Sequence, residues 1–318
     1  MGRFPCQLLV DLPNWLGDLI HSQPALAKLI AANREGHTTL LAPPQHRPLL
    51  QGQAVFLCER PPRAGPLFAR SLGRYDLAIT FRHSTRAKLL LRALPAGEAW
   101  ASCGRGAKLL GLHTFYVDRT RHQRHDFDQA LVSLGLVPVN GQSSAWWNRA
   151  PAMPRGRSVV LLPGSLGLRA KRYPKEHFLH VSQKLQRAGY AVTLVVGQGD
   201  AEVGVWLAQR GGGALFPPQA DLGQVMELLA GSCLAVGNDS GLTHLAAAVG
   251  CPTVALFGPT SPARTGPSSG LVLQAPHFSS RGWAGLPPER VLAAIDLLLG
   301  GDLHDHPGTG SISTAVGR

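Results

Sequence analysis

Apolar residues along this chain fall into short, nearly unbroken runs, separated by stretches whose apolar positions recur every three or four residues. QLLVDL (7–12), TTLLAP (38–43), YDLAITF (75–81), SVVLLPG (158–164), AVTLVVGQ (191–198), CLAVGND (233–239) and PTVALFGP (252–259) read as buried strands. The helical stretches include GDLIHSQPALAKLIAAN (17–33), with Ser22 as a cap and Pro24 in the first turn of its main body. Others are STRAKLLLRAL (84–94), HDFDQALVSLGL (125–136, closing on Gly135), KEHFLHVSQKLQRAGY (175–190), AEVGVWLAQRG (201–211), ADLGQVMELLAGS (220–232) and PPERVLAAIDLLLG (287–300). Continuous apolar strands alternating with helices predict parallel sheets covered on both faces. The alternation dissolves in VPVNGQSSAWWNRAPAMPRGR (137–157), which reads as a linker. The expectation is an α/β protein of two Rossmann-like domains, 1–150 and 151–300, facing one another across a cleft. A tail, 301–318, is expected to be disordered.

Composition adds charge to this picture. The chain has 318 residues and a formal net charge of +12. Residues 1–154 hold 18 Lys and Arg against 9 Asp and Glu, so the excess is concentrated in the first half. Nine basic residues lie within 82–124, against Glu98 and Asp118. Such a half is either a solvated Arg-rich surface or the face that meets something anionic. The five cysteines are scattered, without metal-ligand spacing, and read as thiols in a reducing compartment. No apolar run nears the roughly 20 residues needed to span a bilayer. The expected location is cytoplasmic, with peripheral contact with the inner membrane allowed.

Two segments carry candidate chemistry. In GNDSGLTHLAA (237–247) a strand ends at Asn238-Asp239 and a helix starts at once, with Gly250 placed to close it. Strand ends of an open parallel sheet gather ligands, and helix N-termini offer N–H groups to anions. Gly241 would let a ligand approach the backbone, and His244 lies in the first helical turn. The plain alternative makes Asp239 an N-cap and His244 a half-buried polar residue. LLPGSLGLRAKRYPKEHF (161–178) puts Gly164 and Ser165 in a turn after a strand, then Lys171 at the same sheet edge. It lacks the spacing of a Walker loop.

Three blocks, NWLGDLIHSQPAL (14–26), PGSLGLRAKRYPKEHF (163–178) and GNDSGLTHLAAAVGCPTVALFGPTSP (237–262), resemble glycosyltransferase family 9, the ADP-heptose:lipopolysaccharide heptosyltransferases. They cover about a sixth of the chain, in the family's order. The resemblance implies a GT-B fold with the donor site in the C-terminal domain. It implies donor binding by Asp239, Ser240, Gly241 and His244, with Gly164, Ser165 and Lys171 on the phosphates. An acid after the next strand would hold the ribose; Glu202 matches more closely than Asp200. Some members carry paired threonines where this chain has Leu166-Gly167.

Sugar transfer from a nucleotide diphosphate needs a base for the acceptor hydroxyl and positive charge for the leaving diphosphate. The resemblance assigns the base to Asp18, which as a lone residue reads equally as a helix-start acid; His21 is the runner-up. Arg82, His83, Arg105 and Arg124 are the acceptor candidates. The implied partners are ADP-heptose or a similar nucleotide-sugar and an anionic lipid-linked saccharide, not nucleic acid. No cofactor and no metal is expected, because Asp126 and Asp128 open an apolar-periodic helix and His304-Asp305-His306 sits in the tail. The competing readings are a family member using another activated sugar, a nucleic-acid-binding protein, and an inactive scaffold. Against nucleic acid, aromatics are not interleaved with the Arg run.

Overall fold

The computed structural model describes residues 6–52, 55–104, 106–136, 156–301 and 303. Arg105, most of the expected linker and nearly all of the tail lie outside these residues. The chain divides into two compact units, Met1–Trp146 and Trp147–Arg318.

The first unit is built on β1 (Gln7–Asp11), β2 (His37–Ala42), β3 (Phe56–Glu59), β4 (Tyr75–Thr80), β5 (Ala96–Ser102) and β6 (His113–Phe115), and the second on β7 (Ser158–Leu162), β8 (Ala191–Leu194), β9 (Ala214–Leu215), β10 (Leu234–Asn238), β11 (Thr253–Phe257) and β12 (Leu271–Gln274). The spatial orders are β3-β2-β1-β4-β5-β6 and β12-β11-β10-β7-β8-β9, so each unit repeats one doubly wound topology. Every pairing is parallel. The order reverses between β1 and β4 in one sheet and between β7 and β10 in the other, which opens a crevice at the strands' carboxyl ends in each.

The central strands are the runs legible as apolar: Leu8, Leu9 and Val10 of β1, and Val159 to Leu162 of β7, are fully buried. Five strands escape the apolar pattern, β3, β5, β6, β9 and β12. These lie toward or at sheet edges and are short or half-polar; β5 is AGEAWAS with mixed exposure. All five cysteines are free thiols. Among the described residues no helix is long and apolar enough to cross a membrane.

One helix departs from its expected boundary. It runs unbroken over Leu16–Ala32 with Pro24 inside it, so Ser22 is no cap. Ser22 is buried, and its hydroxyl donates to the Leu19 carbonyl at 2.7 Å. Proline at 24 leaves the Ile20 carbonyl without its helical donor. The helix continues because it is buried nearly all round from Leu19 to Leu29, on either side of Pro24.

Around the second crevice the packing is tight. The helix Gly241–Ala248 follows β10 directly, and Gly250 closes it at φ 79°. Its Thr243 is buried and donates to the Asn238 carbonyl at 2.6 Å. A Cβ on Gly237 would lie 2.4 Å from Thr243 Oγ1 and 2.6 Å from Leu162 Cβ. We expect Gly237→Ala to destabilise the second unit by about 1–3 kcal/mol through overpacking. Chemical denaturation would show this as a lower midpoint with an unchanged slope.

Candidate functional site

The second unit's crevice is held by a neutral clasp. Asn238, the last residue of β10, is fully buried. Its Nδ2 donates to the Pro163 carbonyl just past β7 at 2.7 Å, and its Oδ1 accepts from the Tyr173 N–H at 2.9 Å. One side chain thus joins both strand ends at the order reversal to the segment that carries Lys171.

Asp239 follows and does not cap the helix. The N-cap is Ser240, and its side chain makes no capping bond. Its hydroxyl lies 3.2 Å from that of Thr243 instead. The N-cap side chain therefore leaves the first-turn N–H groups unclaimed, and the helix end keeps its partial positive charge. Asp239 is only 4 % exposed, and its carboxylate collects three donors. Lys171 Nζ lies 2.7 Å from Oδ2, Thr260 Oγ1 donates to Oδ2 at 2.6 Å, and His244 Nε2 lies 3.5 Å from Oδ1. Burial alone would raise this carboxyl, but the donors outweigh it and hold it at about 2.

The loop that delivers Lys171 is fastened from several sides. Ser165 donates to the Asp239 carbonyl at 3.2 Å, and Arg172 Nε donates to the Ser165 carbonyl at 3.2 Å. Trp283 Nε1 donates to the Ala170 carbonyl at 3.0 Å, and Tyr173 donates its hydroxyl to the Leu286 carbonyl at 2.9 Å. Arg172 also pairs with Asp200 at 2.6 Å. Asp200 lies so close to the loop that a Cβ on Gly164 would sit 2.8 Å from its Oδ2. The two acids weighed for the ribose therefore differ in kind: Asp200 is a buried brace, and Glu202 is exposed in the first turn of the helix Ala201–Ala208. Leu166 of the same loop is 58 % exposed.

In the first unit, Asp18 lies in the first turn of the helix Leu16–Ala32 and accepts a hydrogen bond from Gln123 Nε2 at 2.9 Å. His21 is buried one turn on, with its ring 5.1 Å from that of His122. His83 shares a 2.8 Å hydrogen bond with Ser102 Oγ. Burial and Arg119 push the His83 imidazole down, against the opposing pull of Asp126 and Asp18, so the sequence candidates Asp18 and His83 share one electrostatic neighbourhood. Arg82 is turned instead toward Asp11, 3.5 Å from its carboxylate. Arg124 is exposed at the start of the helix Arg124–Ser133. Asp126 is buried in that helix, and Asp128 pairs with Lys28 at 3.0 Å, which ties the helix to Leu16–Ala32. Among the described residues no three His, Cys, Asp or Glu side chains are placed to hold a metal ion.

Several residues of these sites carry no motif signal. Thr260 sits inside the third sequence block, yet nothing in the spacing singles it out. Asn238 and Arg172 adjoin recognised residues without a periodicity of their own. Gln123, 105 positions from Asp18, is reached only through the fold.

The family model described as glycosyltransferase family 9 (heptosyltransferase) matches residues 68–275. The lipooligosaccharide heptosyltransferase 2 of Haemophilus influenzae is 38% identical over 300 residues, which cover 82% of this chain and 86% of that one. The chain belongs to glycosyltransferase family 9. It is similar also to the lipopolysaccharide heptosyltransferase 2 of Escherichia coli K12, 28% identical over 307 residues that cover 83% of this chain and 86% of that relative. A solved E. coli heptosyltransferase holding ADP superposes with a TM-score of 0.76 at 21% identity, over 92% of this chain and 99% of that one. This family-9 protein is thus a glycosyltransferase of the GT-B fold class, with two Rossmann-like units.

The lowered Asp239 carboxyl gives this glycosyltransferase an acid-dependent term. The ordinary carboxyl titrates near 3.8 and the folded one near 2, so the term is fully present above about pH 4 and is lost as pH falls toward 2. It amounts to about 2 kcal/mol. Urea unfolding from pH 5 to pH 2 should show that slope in the native protein and a shallower one in Asp239→Asn.

Proposed function

We propose that this glycosyltransferase moves heptose from ADP-heptose to an anionic inner-core saccharide of lipopolysaccharide, with inversion at the sugar carbon and Asp18 as the general base. The observation that carries the reading is the charge arrangement at Asp239. A buried carboxylate holds Lys171 and His244 beside an uncapped helix N-terminus at the crevice of a Rossmann-like sheet. That combination suits a diphosphate: Lys171 supplies a mobile positive charge, and the N–H groups at Gly241 supply fixed dipoles. The names of the relatives and the ADP bound to the similar E. coli enzyme support the same donor.

In the step we propose, the acceptor oxygen attacks the anomeric carbon as the bond to the diphosphate breaks, and ADP leaves with the electron pair. A single displacement from the opposite face inverts that carbon. Asp18 takes the hydroxyl proton, and the Gln123 N–H on its Oδ1 fixes which oxygen is presented. Lys171 shifts part of its charge from Asp239 to the leaving diphosphate. Gly164 and Ser165 shape the phosphate loop, Ser240 opens the helix that receives the phosphates, and Glu202 meets the ribose. Arg124 attracts the acceptor's anionic groups, and Arg82, His83 and Arg105 belong to the same proposed set. The net positive first half also suits an enzyme that works at the cytoplasmic face of a membrane carrying an anionic lipid-linked acceptor.

Asp18→Asn should lower transfer from ADP-heptose by roughly 10²–10⁴-fold, while calorimetric donor binding changes less than about twofold. Asp239→Ala should weaken donor binding directly; retained transfer in Asp18→Asn would reject the base. In thermal melts, ADP should protect more than UDP or GDP at equal concentration, because stabilisation by a ligand at free concentration L grows as RT ln(1 + L/Kd) and so favours the tighter binder. Preferential protection by UDP or GDP would point to a different activated sugar.

A further inference from the structure

The first unit's crevice is also closed by a clasp, but a charged one. Asp11 ends β1 and is fully buried, and its carboxylate pairs with the Arg60 guanidinium and accepts from Thr80 Oγ1, at the end of β4, at 2.7 Å. Arg60 is only 4 % exposed and does more than neutralise that carboxylate. Its Nη1 also donates to the Leu41 carbonyl at 3.0 Å, and its Nη2 donates to Asn14 Oδ1 at 2.6 Å. Its own N–H donates to the Ala42 carbonyl at 2.7 Å, so the residue is pinned at the end of β2.

Asn14 is the residue type that ordinarily caps a helix, and it stands two residues ahead of one. The helix Leu16–Ala32 nevertheless has Trp15 as its N-cap and no side-chain cap. The Asn14 side chain is instead committed to Arg60. The start of this helix is therefore located by a fork that grips a strand end and the entering loop together. Asp18 lies in the first turn after that loop, and the backbone bond from the Leu19 N–H to the Trp15 carbonyl, 3.0 Å, transmits the loop's position to it.

We propose that Arg60 and Asn14 are positioning residues for Asp18: the buried Asp11–Arg60 pair is the fixed point, and the Arg60–Asn14 bond sets where the base stands. This rests on the reading of Asp18 as the base. Lysine at 60 would keep the charge that answers Asp11, but as a single ammonium it lacks the planar fork that serves Asp11 and Asn14 together. A displacement of about 1 Å at a reacting group is worth up to roughly 100-fold in rate.

The full-length Asn14→Ala and Arg60→Lys variants should each lower kcat at saturating ADP-heptose and acceptor by about tenfold. The donor Kd should stay within about twofold of the parent, and Tm should fall by no more than about 3 °C. An unchanged kcat in either variant, or a loss that appears in donor Kd or recovers on cooling in step with Tm, would overturn the proposal. Asp18→Asn is run beside them. If it retains transfer, the base assignment fails independently; if it is inactive while both variants turn over like the parent, only the positioning role fails.

Discussion

A carboxylate withdrawn from water must be answered by donors, and most of the second unit's site follows from how Asp239 is answered. Three side chains from three segments converge on it: Lys171 from the loop after β7, Thr260 from beyond β11, and His244 from the helix that follows β10. Because a buried, unpaired acid is costly, their mutual placement is enforced by the same energy that keeps the acid ionised. The helix end is left without a side-chain cap because the nearest acid is otherwise engaged.

The two units solve one geometric problem in two chemical ways. Where the strand order reverses, adjacent parallel strands diverge toward helices on opposite faces, and their ends need tying together. In the second unit a neutral amide does so, with Asn238 bonded to the Pro163 carbonyl. In the first, the tie is ionic, with Asp11 bonded to Thr80 and Arg60. Burial pushes the Asp11 carboxyl up, while Arg60, Arg82 and Thr80 pull against it. The same environment, with Arg60 beside it, pushes buried His46 down to about 4, so this end of the sheet holds a neutral imidazole next to its ion pair. A charged clasp is more costly to break than an amide, because losing either partner strands the other.

The sequence discloses what repeats and hides what closes. Central strands such as VVLL and LAVG are apolar throughout because both faces are covered, so they can be read without coordinates. The strands at or near the edges cannot: β9 is two residues long, and β5 sets one acid and one indole among small residues. Asp18, Lys171 and Asp239 were legible because they lie in contiguous blocks. Gln123, Arg60 and Thr260 were not, since their partners lie many positions away and only the sheet topology unites them. Asp200 and Glu202 show a further limit. Two acids two residues apart are ranked along the chain only by the resemblance, and burial is what separates a structural brace from an exposed carboxylate. Ser22 and Pro24 failed as a helix start because buried neighbours on both sides carried the helix through.

The indole of Trp283 reaches back to the Ala170 carbonyl, and Leu286 receives the hydroxyl of Tyr173. The match to the family ends at residue 275, upstream of both. The segment that carries Lys171 is therefore steadied through its neighbours Ala170 and Tyr173 by a stretch of chain that lies past the residues the family model matches. A fragment trimmed at residue 275 would keep every signature residue of the nucleotide half and lose the strut beside one of them.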